Sequence, residues 1–108
     1  MSIDIQTIIS TIEGKVVDYA KTNLTELATN AVSDAQGLFA TIKSNLVRRT
    51  QMLAEGQLTK DEFAGLLLAD ADLVQMDALT QAGLALAKID AFKQGIFQVI
   101  IDSVTSMI

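Results

Sequence analysis

Proline, cysteine, histidine and tryptophan are all missing from this chain, and aromatic residues make up only 5% of it. Each absence removes a class of explanation. Proline breaks helix interiors, because it lacks an N–H and clashes with the preceding turn. A loop-rich or sandwich fold of 108 residues without a single Pro would be unusual. An abundance of Ala, Leu, Ile and Gln with few aromatics tips the balance toward helix over sheet. Without Cys there is no disulfide framework and no thiolate chemistry. That leaves the compartment open, with the cytoplasm as the default. Without His or Cys, the usual general base and the best thiol nucleophile are also missing. Carboxylates, lysines and Tyr19 remain, but no spacing gathers them. The chain therefore reads as non-enzymatic, with no cofactor and no metal.

Charge is sparse and one-sided. Only 19% of residues are charged, and the net charge is −5. Residues 1–54 hold five acids and five bases, whereas residues 55–108 hold eight acids and three bases. Between Asp61 and Asp77 there are five acids and no base. Such a chain repels polyanions at long range, which excludes nucleic acid as a partner and disfavours anionic lipid. No early Lys or Arg precedes an apolar run, so no secretory signal is read. No uncharged apolar stretch approaches the ~20 residues that span a bilayer. Half the residues are nevertheless apolar, and mean hydropathy is +0.37. That surface must be covered within the chain, by a second copy, or by a partner.

What is present is led by one well-marked turn. Thr59 is followed three residues later by Glu62, a capping box in which each side chain takes the other residue's N–H. Leu58 before the cap and Phe63 after it can form a hydrophobic staple. Gly56 sits where a left-handed helix stop belongs. The spacing predicts a helix ending near Glu55 and another beginning near Lys60.

On either side, apolar residues recur at three and four, the mark of an amphipathic helix. The first arm, residues 3–55, carries Ile5, Ile9, Ile12, Val16, Ala20, Leu24, Leu27, Ala31, Ala35, Leu38, Ile42, Leu46 and Leu53. The second, residues 60–107, carries Phe63, Leu67, Ala71, Val74, Ala78, Ala82, Ala85, Ile89, Phe92, Ile96, Ile100, Val104 and Met107. Both patterns repeat every eleven residues, a period that keeps a helical seam straight or drifts slightly right-handed. Gly37 and the stretch Asn23–Thr25 are the weak points of the first arm, and Gly83 and Gly95 mark bends or close-packing points of the second.

Two all-α architectures follow for this single domain. In the preferred one, two coiled-coil-like arms form an antiparallel hairpin with its turn at 56–59. Each arm would be ~75 Å long at the helical rise. The second arm has more apolar residues than one seam needs: Leu68, Leu79, Leu86, Phe97, Ile101 and Ile108 lie off the stripe. In a hairpin they form an interaction surface, so oligomerisation is expected. In the alternative, each arm breaks and the chain closes into a compact four- or five-helix bundle.

The remaining motifs are weak. Asp70, Asp72 and Asp77 are the densest acids, but the run lacks the Gly and the bidentate Glu of a calcium loop. A solvated acidic face is the plainer reading. Gly14-Lys15 lacks the rest of a phosphate loop. Lys43, Arg48 and Arg49 are too few for a nucleic-acid footprint and read first as solvated helix-end charges. Arg49 lies in the first apolar row, so it can instead pair with an acid of the 61–77 region. Tyr19 is expected to pack its ring between helices with its hydroxyl at the rim. The expected function is a non-enzymatic helical interaction module, one that self-associates or binds a helical partner through its apolar C-terminal half. The alternative is an amphipathic protein that binds membrane surfaces or forms pores.

Overall fold

In the computed structural model, which describes residues 4–108, Asp4 opens the first helix by accepting from the N–H groups of Gln6 and Thr7. Helix α1 (Ile5–Asn23) buries Ile8, Ile9, Ile12, Val16 and Ala20, the three-and-four stripe. Residue 3, where the first arm was expected to begin, lies outside the described residues. The arm then breaks where strong helix formers run out. The Asn23 side chain donates to the Tyr19 carbonyl. A 3-10 turn over Thr25–Leu27 reverses the chain into α2 (Ala28–Ala54). The other weak point, Gly37, stays inside α2.

Helix α2 stops at Gly56, whose φ of 78° is open to glycine and costly for other residues. The N–H of Gly56 donates to the Leu53 carbonyl and that of Gln57 to the Met52 carbonyl, which is a Schellman motif. The capping box follows: the Glu62 N–H donates to the Thr59 hydroxyl at 3.1 Å, and the Thr59 N–H to the Glu62 carboxylate at 2.9 Å. Those bonds from Thr59 hold the Glu62 carboxyl below the usual carboxylate range.

The second arm is not one helix. Helix α3 (Lys60–Ala69) passes into a 3-10 turn at Asp70–Leu73, and Val74 is extended. Helix α4 (Asp77–Gln81) is short and ends in a second Schellman motif. Gly83 has φ 86°, its N–H meets the Thr80 carbonyl, and the Leu84 N–H meets the Leu79 carbonyl. Helix α5 (Leu86–Met107) then runs to the end.

Contacts order these pieces into four rods. Arg49 of α2 reaches Leu66 and Asp70, while Asp34 and Asn30 reach residues 78 and 79. Numbering rises along α3–α4 as it falls along α2, so this broken rod lies antiparallel to α2. Tyr19 stacks on Phe92, and Asn23 shares a groove with Lys88, so α1 and α5 are also antiparallel. Helix α1 packs on α2 and α5, α2 packs on α3 and α4, and these two pack on α5. The result is a closed ring of four rods, up and down in turn, with the third rod broken.

The long hairpin is therefore replaced by the bundle. The longest dimension is 46 Å and the radius of gyration 13.9 Å, close to the ~13 Å of a compact domain this size. The physical reason is the apolar surplus of the second arm. Leu79, Phe97 and Ile101, which a hairpin would expose, are buried with Phe39, Phe63, Ile42 and Leu46 in one core. The accessible surface of 6015 Å² is close to the roughly 5,800 Å² expected of a folded monomer of this mass.

Candidate interaction surface

The third rod is the irregular part of the bundle, and its backbone is held by three charged side chains from its neighbours. The Arg49 guanidinium donates to the Leu66 carbonyl at 3.0 Å and to the Asp70 carboxylate at 2.6 Å. Asp34 of α2 spreads its carboxylate over the N–H groups of Ala78 and Leu79, at 3.0 and 2.8 Å. It thus acts as an N-terminal cap for α4, which has no capping side chain of its own. Lys93 of α5 donates to the carbonyls of Ala71 and Val74, at 3.1 and 3.2 Å. Cations meet carbonyls and a carboxylate meets N–H groups, so each charge is matched to the helix end it touches.

This rod and its exit also carry the large apolar side chains that the core leaves out. Among the described residues these are Leu66 (40% exposed), Leu68 (41%), Leu73 (66%) and Leu86 (73%). Beside Leu86 lies an open groove of about 310 Å³ between residues 74–80 and the first turns of α5. Val74, Met76, Leu86 and Ile89 give it apolar walls, and Asp77, Asp90 and Lys93 stand in its lining.

The residues expected to form the interaction surface are divided by the fold. Leu68 and Leu86 are exposed, Ile108 is half-buried, and Leu79, Phe97 and Ile101 are core. The latter three correct the expected surface: the closed ring turns the second face of α5, with Phe97 and Ile101, toward its neighbours and packs Leu79 of α4 into the core. The apolar side of Ile89–Ile108 likewise faces inward, with Ile89, Phe92, Ile96, Ile100 and Val104 buried. At the turn, Gly56, Thr59 and Glu62 make the bonds described above, Phe63 is buried, and Leu58 is half-buried.

The three aspartates of the acidic run separate. Asp70 is buried against Arg49, and Asp72 and Asp77 are exposed. No group of three or more acidic side chains able to hold a metal ion occurs among the described residues. No helix there is long and apolar enough to cross a membrane. Tyr19 lies half-buried, with its ring 5.7 Å from that of Phe92 and its hydroxyl over Gly95. Of two adjoining shallow grooves that share Asn23, Leu24 and Lys88, Tyr19 lines the one that also includes Ala91 and Phe92 of α5.

Asp34, Lys93, Leu66 and Leu73 were not singled out by the sequence. Asp34 carried a readable signal, since it lies on the apolar face between Ala31 and Leu38, where an acid needs a buried partner. Lys93 and the two leucines carried none, because their roles depend on where the rod breaks. In comparisons with known proteins, no family model matches the chain, and neither a curated protein nor a solved structure is significantly similar to it.

Proposed function

We propose that this chain is a non-enzymatic interaction module that binds a helical protein partner through the face formed by the third rod and the start of α5. The observation that carries the reading is the exposure of Leu66, Leu68, Leu73 and Leu86, the exposed large apolar side chains among the described residues. Leu66, Leu68 and Leu73 lie on the irregular rod and Leu86 at its exit, and exposed apolar side chains of this kind mark interaction sites. The near-monomeric surface area favours a folded unit that docks, over an assembly needed for folding. Self-association through the same face is the second form of this reading. The lipid-surface alternative would require α5 to leave the other rods, since the apolar face that motivates it is buried against them.

The test is site-specific photocrosslinking in the cells that make the chain. A crosslinking residue replaces Leu73 or Leu86 in turn, and Glu13 or Ser33, both exposed on α1 and α2, as controls. A discrete product from positions 73 and 86, and none from 13 or 33, supports the reading. A product of twice the chain mass identifies self-association. Products from all four positions alike, or from none, overturn it.

A further inference from the structure

The groove beside Leu86 has a charge that specifies its occupant. Its lining includes Asp77 and Asp90, both exposed, and one cation, Lys93. Lys93 is not free to meet a ligand, because its ammonium is bonded to the carbonyls of Ala71 and Val74. The nearest other base on α5, Lys88, lines the grooves toward α1 instead. The groove therefore keeps a net negative charge, with two carboxylates that have no bonded partner against one engaged cation, above apolar walls made by Val74, Met76, Leu86 and Ile89. Neighbouring Asp72, exposed in the same base-free run, adds to the field. The volume of about 310 Å³ is at the small end for a drug-sized ligand. It suits one or two anchoring side chains of a larger partner.

Building on the proposed interaction function, we infer that this groove docks an amphipathic helix of a partner protein that sets apolar anchors against Leu86 and places Lys or Arg on Asp77 and Asp90. A second copy of this chain is a poor occupant. The net charge of −5 makes two copies repel, and Arg49, the cation on the apolar row of α2, is already bonded to Asp70. A cationic segment gains from both features of the groove, its apolar stems covering Leu86 while its charges meet the carboxylates.

The inference is tested with three labelled helical peptides of one design, built from Leu and Lys, from Leu and Gln, and from Leu and Glu. Binding to the full chain is read by fluorescence anisotropy, and the site by amide chemical shifts. The Lys peptide should bind, with shifts at residues 74–80 and 86–93, and should weaken as salt rises. The Gln peptide should bind more weakly and the Glu peptide not measurably. Asp77→Asn and Asp90→Asn should each weaken the Lys peptide about twofold to fivefold, as expected for solvated ion pairs, and leave the Gln peptide unchanged. Glu13→Gln with Asp18→Asn, an equal loss of charge on α1, should have little effect.

If the α1 pair weakens binding as much as the groove pair, the peptide senses only net charge and the inference fails. It also fails if Lys and Gln peptides bind alike. In that case loss of both on Leu86→Gln would leave the interaction reading standing. Absence of binding by any peptide removes the groove as a helix-docking site, and the crosslinking experiment then decides the broader reading by itself.

Discussion

The Arg49–Asp70 pair links the third rod to α2, and removing one partner should cost far more than a surface ion pair would. The contact is 2.6 Å long, with side-chain exposures of 14% for Arg49 and 7% for Asp70. Arg49→Met keeps most of the packing but leaves the Asp70 carboxylate buried without its cation. It also frees the Leu66 carbonyl. Loss of one partner from a buried pair costs about 3–5 kcal/mol. The residual exposure of Arg49 points to the lower end, about 3 kcal/mol. Asp70→Asn keeps the volume and leaves Arg49 its bond to Leu66, so about 2 kcal/mol is expected. Arg49→Met combined with Asp70→Asn removes both charges, and its cost should fall short of the summed single effects by about 2 kcal/mol. Urea denaturation followed by circular dichroism measures all three against the parent chain. For Arg49→Met the midpoint of thermal unfolding should drop by roughly 12 °C or more, at ~4–8 °C per kcal/mol for a domain near this size. Single variants that each cost less than about 1 kcal/mol, and add without coupling, would refute the reasoning. That is the behaviour of solvated helix-end charges.

Further predictions concern the glycines, the α4 cap and acid. Gly37 has open space around its α-carbon, so Gly37→Ala should stabilise by about 0.5–1 kcal/mol through helix propensity. A Cβ on Gly95 would overlap the Tyr19 hydroxyl and push the ring off Phe92, so Gly95→Ala should instead destabilise by about 1 kcal/mol. Equal gains in a denaturation comparison would show that Tyr19 yields freely. Asp34→Ala strands the N–H groups of Ala78 and Leu79 and should cost about 2–3 kcal/mol. Hydrogen exchange at those two amides should accelerate first, and an unchanged rate would rule out Asp34 as the cap. Glu62 is held below its ordinary range by the N–H and hydroxyl of Thr59. Its contribution is complete above about pH 4.3 and is lost as pH falls through the lowered value. In Glu62→Gln the acid limb of the stability curve should be flatter over that window, and an unaltered limb would show that the box does not titrate with folding.

The legible parts of this fold are those fixed by neighbours in sequence. Gly56, Thr59 and Glu62 determine their turn within seven residues, and their side chains need no distant partner. The break after Asn23 was likewise marked by a local run of weak helix formers. The break at residues 82–85 was marked by Gly83, whereas the one at 70–76 was masked, because the eleven-residue row Phe63, Val74, Ala85, Ile96 continues across it. In the structure Phe63, Val74 and Ile96 are buried but Ala85 is exposed, as is Ala82 of the same stripe. The periodicity therefore overran the helix that it seemed to describe. What holds the rod bent comes from residues 49, 34 and 93, and periodicity within 60–85 contains no trace of them. Half of the expected interaction surface was lost to the core for the same reason. Leu79, Phe97 and Ile101 were surplus only for a two-rod hairpin, and they became core once two more turns closed the ring.

The uneven charge of the chain is explained by that same segment. Five acids stand between Asp61 and Asp77 with no base among them. Here two of the groups are used differently: Glu62 caps α3, and Asp70 draws Arg49 across from the electrically neutral half. Lys93 supplies the second cation, but to carbonyls rather than to carboxylates. Asp72 and Asp77 are therefore left facing solvent beside a rod whose backbone is already anchored. A straight helix through residues 60–81 would have used those three side chains elsewhere. The broken rod leaves Leu73 and Leu86 clear of the core and a groove between residues 74–80 and the first turns of α5. The irregularity that hid this region from the sequence pattern thus creates a groove in which an exposed leucine, Leu86, stands beside the carboxylates of Asp77 and Asp90.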